Sequence, residues 1–440
     1  MPAIWTNWAG EQICSPAAIE RPADEAALAA IVAAARARGQ TVRAVGSGHS
    51  FSDCACTDGV MIDMSGMQRV LDIDPSTARA TVEAGIKLHT LGRELSRRGL
   101  ALENQGDIDR QSLAGAISTA THGTGALLQN LSARVIGIRL VTAGGEVIDL
   151  SEQSDRDAYL AARVSLGALG VISALTVQCV PLYTLHRRDE PAPLAQTLAR
   201  LDEHVDGNDH FEFFVFPYTQ TALTRRMRRS REQPSPPPRW RRHLQEEVVE
   251  NRALGAVCRL GRALPRLAPR LDNLIAAAMS PSEVEDHAYR VYATTRSVRF
   301  TEMEYAIPRA HARQAIERVL DLVPRRRLPI LLPLEVRFSA GDDAFLSTAH
   351  GRETCYIAVH QYHGMEFETY FRAVERIMDD YDGRPHWGKR HYHTAATLER
   401  LYPQWDRFQA VRARLDPDGV FANDHARRVL GGALAAVADG

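Results

Sequence analysis

Apolar and polar positions follow two periods along this 440-residue chain, and the switches between them mark its elements. Residues 24–39 carry Ala, Leu, Ile and Val at three- and four-residue intervals between Asp24 and Gly39. That spacing predicts an amphipathic helix with an acidic start and a glycine stop. Short β-rich runs predict strands at 41–45, 60–65 and 80–85. Residues 88–99 return to the helical period and close at Gly99, while 133–151 read as two strands about Ala143-Gly144-Gly145 and 171–182 as another. Beyond 183 the pattern changes to alternating strands at 210–218, 335–340 and 353–364, with amphipathic helices at 309–323 and 368–381. The mixture predicts an α+β fold in two domains, 1–182 and 183–440, with the segment from about 385 packing back toward the first.

Two stretches interrupt this pattern. Residues 225–243 are rich in Arg and Pro and predict an exposed excursion. Residues 252–279 set Arg252, Arg259, Arg262, Arg266 and Arg270 beside a leucine stripe. A basic amphipathic face of this kind admits a weak membrane-surface contact. The competing reading, favoured because Pro265 and Pro269 interrupt the stripe, is the solvated face of a helix capping the domain.

Composition narrows the function classes. With 45% hydrophobic and 24% charged residues the chain has an ordinary globular balance. A formal net charge of −1 argues against a general nucleic-acid binder. No run reaches the ~18 apolar residues of a membrane span. The N-terminal residues lack the charged-then-apolar plan of a secretory signal, and six scattered cysteines form no disulfide framework, so a cytoplasmic location is expected. Of 53 basic residues only Lys87 and Lys389 are lysine. Arginine bias explains the others, and makes positions that keep a compact ammonium worth following.

Three glycine-rich turns carry the candidate chemistry. Ala44 to Ser52 (AVGSGHSFS) follows a strand, and its backbone N–H groups suit a phosphate. It lacks the third glycine of the dinucleotide fingerprint, since Phe51 stands there. Gly106 to Gly125 (GDIDRQSLAGAISTATHGTG) is a run of small and hydroxyl residues that reads either as a bed for a planar ligand or as tight Gly/Ala packing. Ser165 to Ser173 (SLGALGVIS) is the third. On the strand 335–340, Glu335 and Arg337 are two apart and face the same way, as a base beside a cation in a pocket or as a surface ion pair. His360, His363, His386, His391 and His393 include metal-ligand spacings that keep a His-ligated hydrolase as a distant alternative. No H-E-x-x-H motif accompanies them, so no metal site is expected.

In this order and spacing the three turns, with TNWAGE (6–11), LENQGDID (102–109), the EVRF strand and RPHWGKRH (384–391), resemble the aldonolactone oxidoreductase and alditol oxidase group of the vanillyl-alcohol-oxidase flavoprotein superfamily. The resemblance covers nearly the whole chain and is sharpest to the bacterial aldonolactone dehydrogenases. It implies a superfamily-type FAD-binding domain with an α+β substrate domain, the C-terminal segment returning toward the flavin. It implies FAD bonded covalently to His49, with Ala44, Val45, Gly46, Ser47, Gly48 and Ser50 wrapping the cofactor. Gly106, Asp107, Ser112, Gly115, Thr119, Ala120, Thr121, His122 and Ile172 match further FAD-contacting positions. Glu335, Arg337, His360 and Lys389 match the substrate pocket. The implied reaction is oxidation of L-gulono- or a related aldono-1,4-lactone to an ascorbate-type product, with O2, a cytochrome or a dye as acceptor; oxidation of a polyol's terminal alcohol is the alternative. Gly106 matches a position where a small residue is associated with oxygen access. Asp107 replaces a serine of the alditol oxidases, and its charge would disfavour forming superoxide beside it. Between these two arguments a dehydrogenase is expected.

Overall fold

The computed structural model describes residues 3–230, 232–238, 251–294 and 296–432. The helix Glu25–Ala37 begins where Asp24 accepts a hydrogen bond from the Ala27 amide at 2.8 Å, a side-chain cap that satisfies one orphan N–H. It buries Leu28, Val32 and Ala35. Beside it lies a parallel three-stranded sheet in the order Ala18–Glu20, Val60–Asp63, Val42–Val45. A five-stranded antiparallel sheet follows in the order Val147–Leu150, Val135–Val141, Val171–Gln178, Arg79–Glu83, Val70–Asp74. One core joins both sheets and also takes in Phe345, Trp387, Leu398, Phe408, Phe421 and Val429 from far along the chain.

The remaining residues build an eight-stranded antiparallel sheet. Its order is Ser282–His287, Thr184–Pro193, Thr221–Ser230, His210–Val215, Leu334–Ser339, Thr354–Tyr362, Phe300–Pro308, Arg384–Pro385. Alternation gives the sheet two unlike faces. Phe211, Phe213, Val336, Phe338, Ile357, Val359, Met303 and Tyr305 pack in one core with the helices Ala312–Arg326 and Glu368–Asp379. The intervening residues give the other face. The register sets Glu302 opposite His360, and Ala358 between Glu304 and Glu335. Glu302, Glu304, Glu335, Arg337 and His360 are nevertheless buried.

The structure corrects two expectations. Residues 225–230 are no excursion: they belong to the strand Thr221–Ser230, paired on both sides. Arg225 donates to Asp189 at 2.9 Å and to Glu212 at 3.1 Å, and Arg226 to Glu190 at 2.8 Å. The charges that suggest a loop are matched by carboxylates on neighbouring strands. Residues 231 and 239–243 of that segment lie outside the described residues. The second correction is at 309–323. The helix runs on to Arg326, because Pro324 sits in its last turn and Arg327, in the left-handed conformation, caps it.

Candidate active site

The strand Val42–Val45 feeds directly into the first glycine turn. A Cβ on Gly46 would stand 1.9 Å from Ser112 Oγ, so only glycine lets this turn touch the start of the helix Leu113–Ser118. Gly48 adopts φ +64°, which a residue with a Cβ resists. Between the turns opens a cleft lined by Ala44 to Ser50, Ser112, Gly115, Thr119 and Ile172, with Leu166, Gly167 and Gly170 from the third glycine motif. The cleft therefore gathers eleven predicted cofactor positions: Ala44, Val45, Gly46, Ser47, Gly48, His49, Ser50, Ser112, Gly115, Thr119 and Ile172. Lys87, to which the sequence assigns no role, donates to Ser47 Oγ at 2.7 Å, and Ser47 donates to the Arg110 carbonyl at 2.5 Å. A half-buried ammonium thus stands at the turn, and the rarity of lysine is the signal that could have found it.

His49 also faces a second hollow of about 190 Å³, shared with Trp8, Ile108, Arg296, Glu302 and Lys389. Its ring stacks on Trp8 with centroids 5.6 Å apart. Burial, then the charges of Lys389, Lys87 and Arg110, bring its pKa down to about 4, so the imidazole is neutral at pH 7.

Glu302, on the ionisable face of the large sheet, lines this hollow. Glu335 and Arg337 form an ion pair and are 5% and 9% exposed, which overturns the surface-pair reading. Arg337 Nε also donates to Glu212 at 2.8 Å, and Nη2 lies 3.5 Å from Asp107. Burial lifts the Glu335 carboxyl above its ordinary range, with Arg337 pulling the other way. Burial alone would lower Arg337, but Glu335, Glu212 and Asp107 keep it charged. Lys389 is paired with Glu302, and its Nζ lies over the Phe51 ring at 5.1 Å. Burial would raise Glu302, yet Lys389 and His360 bring it down to about 2. His360 places Nδ1 2.8 Å from the Pro333 carbonyl and Nε2 3.5 Å from Glu302. Glu335, Arg337 and His360 therefore share one face of the sheet, Lys389 meets that face through Glu302, and a carboxyl of raised proton affinity stands beside fixed cations.

Gly106, Asp107, Ala120, Thr121 and His122 do not line the cleft. A Cβ on Gly106 would lie 3.0 Å from the His122 carbonyl. Asp107 accepts two hydrogen bonds from Arg296, at 2.9 and 2.6 Å. Burial alone would raise its pKa; Arg296 and Arg337 instead hold it well below the usual range. Its charge is thus matched, which removes the basis for expecting an uncompensated anion there. Ala120 holds φ +59°. Among the described residues the Thr121 hydroxyl is buried without a partner, as are Asn104 Nδ2 and Gln105 Nε2.

Among the described residues one group, His122, Glu304 and His386, brings potential metal-ligand atoms within 4.8 Å of one another. It shares only His386 with the five histidines of the hydrolase alternative. His386 Nδ1 accepts from the Gly388 amide at 3.0 Å, which puts the ring proton on Nε2 and blocks that nitrogen as a ligand. His122 sets Nδ1 2.8 Å from the Gly123 carbonyl and Nε2 3.1 Å from Glu304, and stacks on Tyr356. Within the cluster His122 and Glu304 are already bonded to each other.

Comparisons with known proteins bear on both halves. Residues 175–429 match the family model described as D-arabinono-1,4-lactone oxidase, and residues 16–151 match an FAD binding domain. The chain is 67% identical over 431 residues to the L-gulono-1,4-lactone dehydrogenase of Mycobacterium tuberculosis, covering 98% of this chain and all of that one. It is 34% identical to the L-gulonolactone oxidase of Mus musculus (96% of this chain, 97% of that one) and 30% identical to the alditol oxidase of a Streptomyces species (97% and 99%). Among solved structures a solvent-stable cholesterol oxidase superposes with a TM-score of 0.84 at 17% identity, covering 97% of each chain, which establishes the shared fold.

Proposed function

Since the chain belongs to the D-arabinono-1,4-lactone oxidase family of FAD-dependent oxidoreductases, we propose that it oxidises L-gulono-1,4-lactone or a closely related aldono-1,4-lactone. The carrying observation is the buried pair Glu335 and Arg337 together with the half-buried Lys389, which shares a hollow with His49 of the glycine turn. The cleft suits FAD. A side chain at Gly46 would strike Ser112 on the cleft wall, and the turn offers backbone amides to a diphosphate with Lys87 beside them. We propose that the neutral His49 imidazole carries the flavin covalently, its lone pair being free to bond carbon at pH 7.

Bound FAD supplies the two-electron oxidant that accepts hydride from the lactone carbinol carbon. The chain's own groups do the rest. Glu335, with raised proton affinity, takes the hydroxyl proton. Arg337 and Lys389 stabilise negative charge as it develops, in a largely enclosed site where water screens them weakly. Arg296, fixed by Asp107, presents a further guanidinium to lactone oxygens. The product is a 2-keto lactone that tautomerises to an ascorbate-type enediol.

The Asp107–Arg296 pair disfavours the alditol alternative, because a serine at that position could not fix the arginine by an ion pair. The family membership removes the metal hydrolase. We place the enzyme in the cytoplasm on the six free thiols and propose an acceptor other than oxygen, in keeping with the dehydrogenase name of the mycobacterial relative. The test is an anaerobic panel of L-gulono-, L-galactono- and D-arabinono-1,4-lactone against xylitol and sorbitol, read as bleaching of flavin absorbance. Lactones should bleach it and polyols should not. Bleaching by polyols alone would defeat the reading. Mixing the reduced enzyme with air-saturated buffer then tests the acceptor: reoxidation slower than dye-coupled turnover is expected.

A further inference from the structure

Next to the hollow that holds His49 and Lys389 lies a larger cavity of about 520 Å³, within the range of built ligand sites. Thr294, Arg296 and Phe300 line both spaces, so the two adjoin. The larger one runs beneath the helices Leu254–Ala263 and Ala268–Ala278. Its walls are apolar, built from Phe214, Leu223, Leu254, Val257, Ile275 and Leu332. Polar groups gather where it meets the site: Arg296, Glu335 and His360. The other charged liners, Asp189 and Arg225, are paired with each other at 2.9 Å. At the rim Leu274 is 61% exposed.

A polyhydroxylated lactone cannot exploit such walls, since burying its hydroxyls against hydrocarbon costs their hydration without replacing it. A molecule that gains from this space is apolar over most of its surface and carries oxygen at one end. It must also have a reason to reach the redox centre. We infer that this cavity binds a quinone-class electron acceptor, its ring among Phe214, Phe300 and Leu332 and its carbonyl end at Arg296 and His360. The inference rests on the proposed oxidoreductase function and names its acceptor. Arg296 engages Asp107 through Nε and Nη2 and does not use Nη1 in that pair, a donor suited to a quinone oxygen. His360 donates Nδ1–H to Pro333, and its Nε2 edge, 3.5 Å from Glu302, faces the same end of the cavity. The exposed Leu274 gives an apolar molecule a matching entrance. Overall, the alcohol loses two electrons and two protons to become a ketone. The quinone gains both to become a hydroquinone, and nothing else is consumed.

The test uses the oxidised holoenzyme and 2-methyl-1,4-naphthoquinone, with binding followed by isothermal titration calorimetry. Leu254→Trp and Val257→Trp fill the cavity away from the catalytic row. Each should weaken quinone binding and raise the quinone KM tenfold or more, while lactone-driven reduction of ferricyanide, small and hydrophilic, stays unchanged and reports intact folding. Absence of quinone binding up to its solubility limit overturns the inference, as does unchanged binding in both variants. Ferricyanide reduction by lactone without quinone binding overturns it and leaves the proposed function standing. Failure of every lactone to drive any acceptor overturns both.

Discussion

Lys389 is held from below by Glu302 and faces Phe51 above, so its ammonium has little freedom to drift from the reacting atoms. Losing one fixed charge of this kind typically costs about 10²-fold or more in turnover. Lys389→Met and Arg337→Leu should each slow anaerobic flavin reduction by that order while the protein stays yellow. Stopped-flow absorbance measures it, and near-wild-type rates in both would remove these residues from the mechanism. For His49 the readout is colour: acid-precipitated wild type should keep its yellow in the pellet, and His49→Ala should release it to the supernatant. A colourless wild-type pellet would refute the covalent bond. At this scale the sequence is informative where a motif forces a residue type, as at Gly46, or where same-face spacing joins two groups, as at Glu335 and Arg337. It is silent on Glu302, Glu212 and Arg296, whose partners lie on strands or loops tens of residues away and meet only through the sheet.

At the scale of the element, the helix Ala268–Ala278 carries a buried acid. Asp272 is fully enclosed; among the described residues its Oδ2 accepts only a long 3.4 Å bond from the Tyr218 amide, and Oδ1 has no hydrogen-bond partner. Burial pushes its pKa up to about 8, against about 4 in an unfolded chain. The folded state then binds the proton more tightly, so this group costs stability progressively as pH rises from about 4 to about 8. Asp272→Asn should raise the melting temperature at pH 8.5 and leave it nearly unchanged at pH 4, a difference that calorimetry at the two pH values reads directly. Equal shifts at both would show that the carboxyl does not titrate there. Periodicity alone finds the helix Glu25–Ala37 and the strand Leu334–Ser339 within a residue or two. It fails at Thr221–Ser230, because an arginine on a strand reads as solvent-facing until the opposing Asp189 and Glu212 are known.

Over the whole molecule, the large sheet separates two tasks by the pleat: one face packs in a hydrophobic core with two helices, the other carries the ionisable row. The proposed reaction calls for no metal, so prolonged dialysis against a chelator should leave lactone-driven dye reduction intact. The α+β class is readable in advance because it needs only element order. The contribution of residues 344–430 to the N-terminal core is not readable in that detail, since it depends on contacts across most of the chain's length. One further property follows from where the two lysines fall. Lys87 touches the cofactor turn and Lys389 the catalytic face, and the chain has no other side-chain amine. An amine-selective reagent, which on most proteins marks the surface at random, is here confined among side chains to the working interior. Acylation protected by bound flavin or lactone becomes a footprint of occupancy, and the arginine-only exterior leaves it little background.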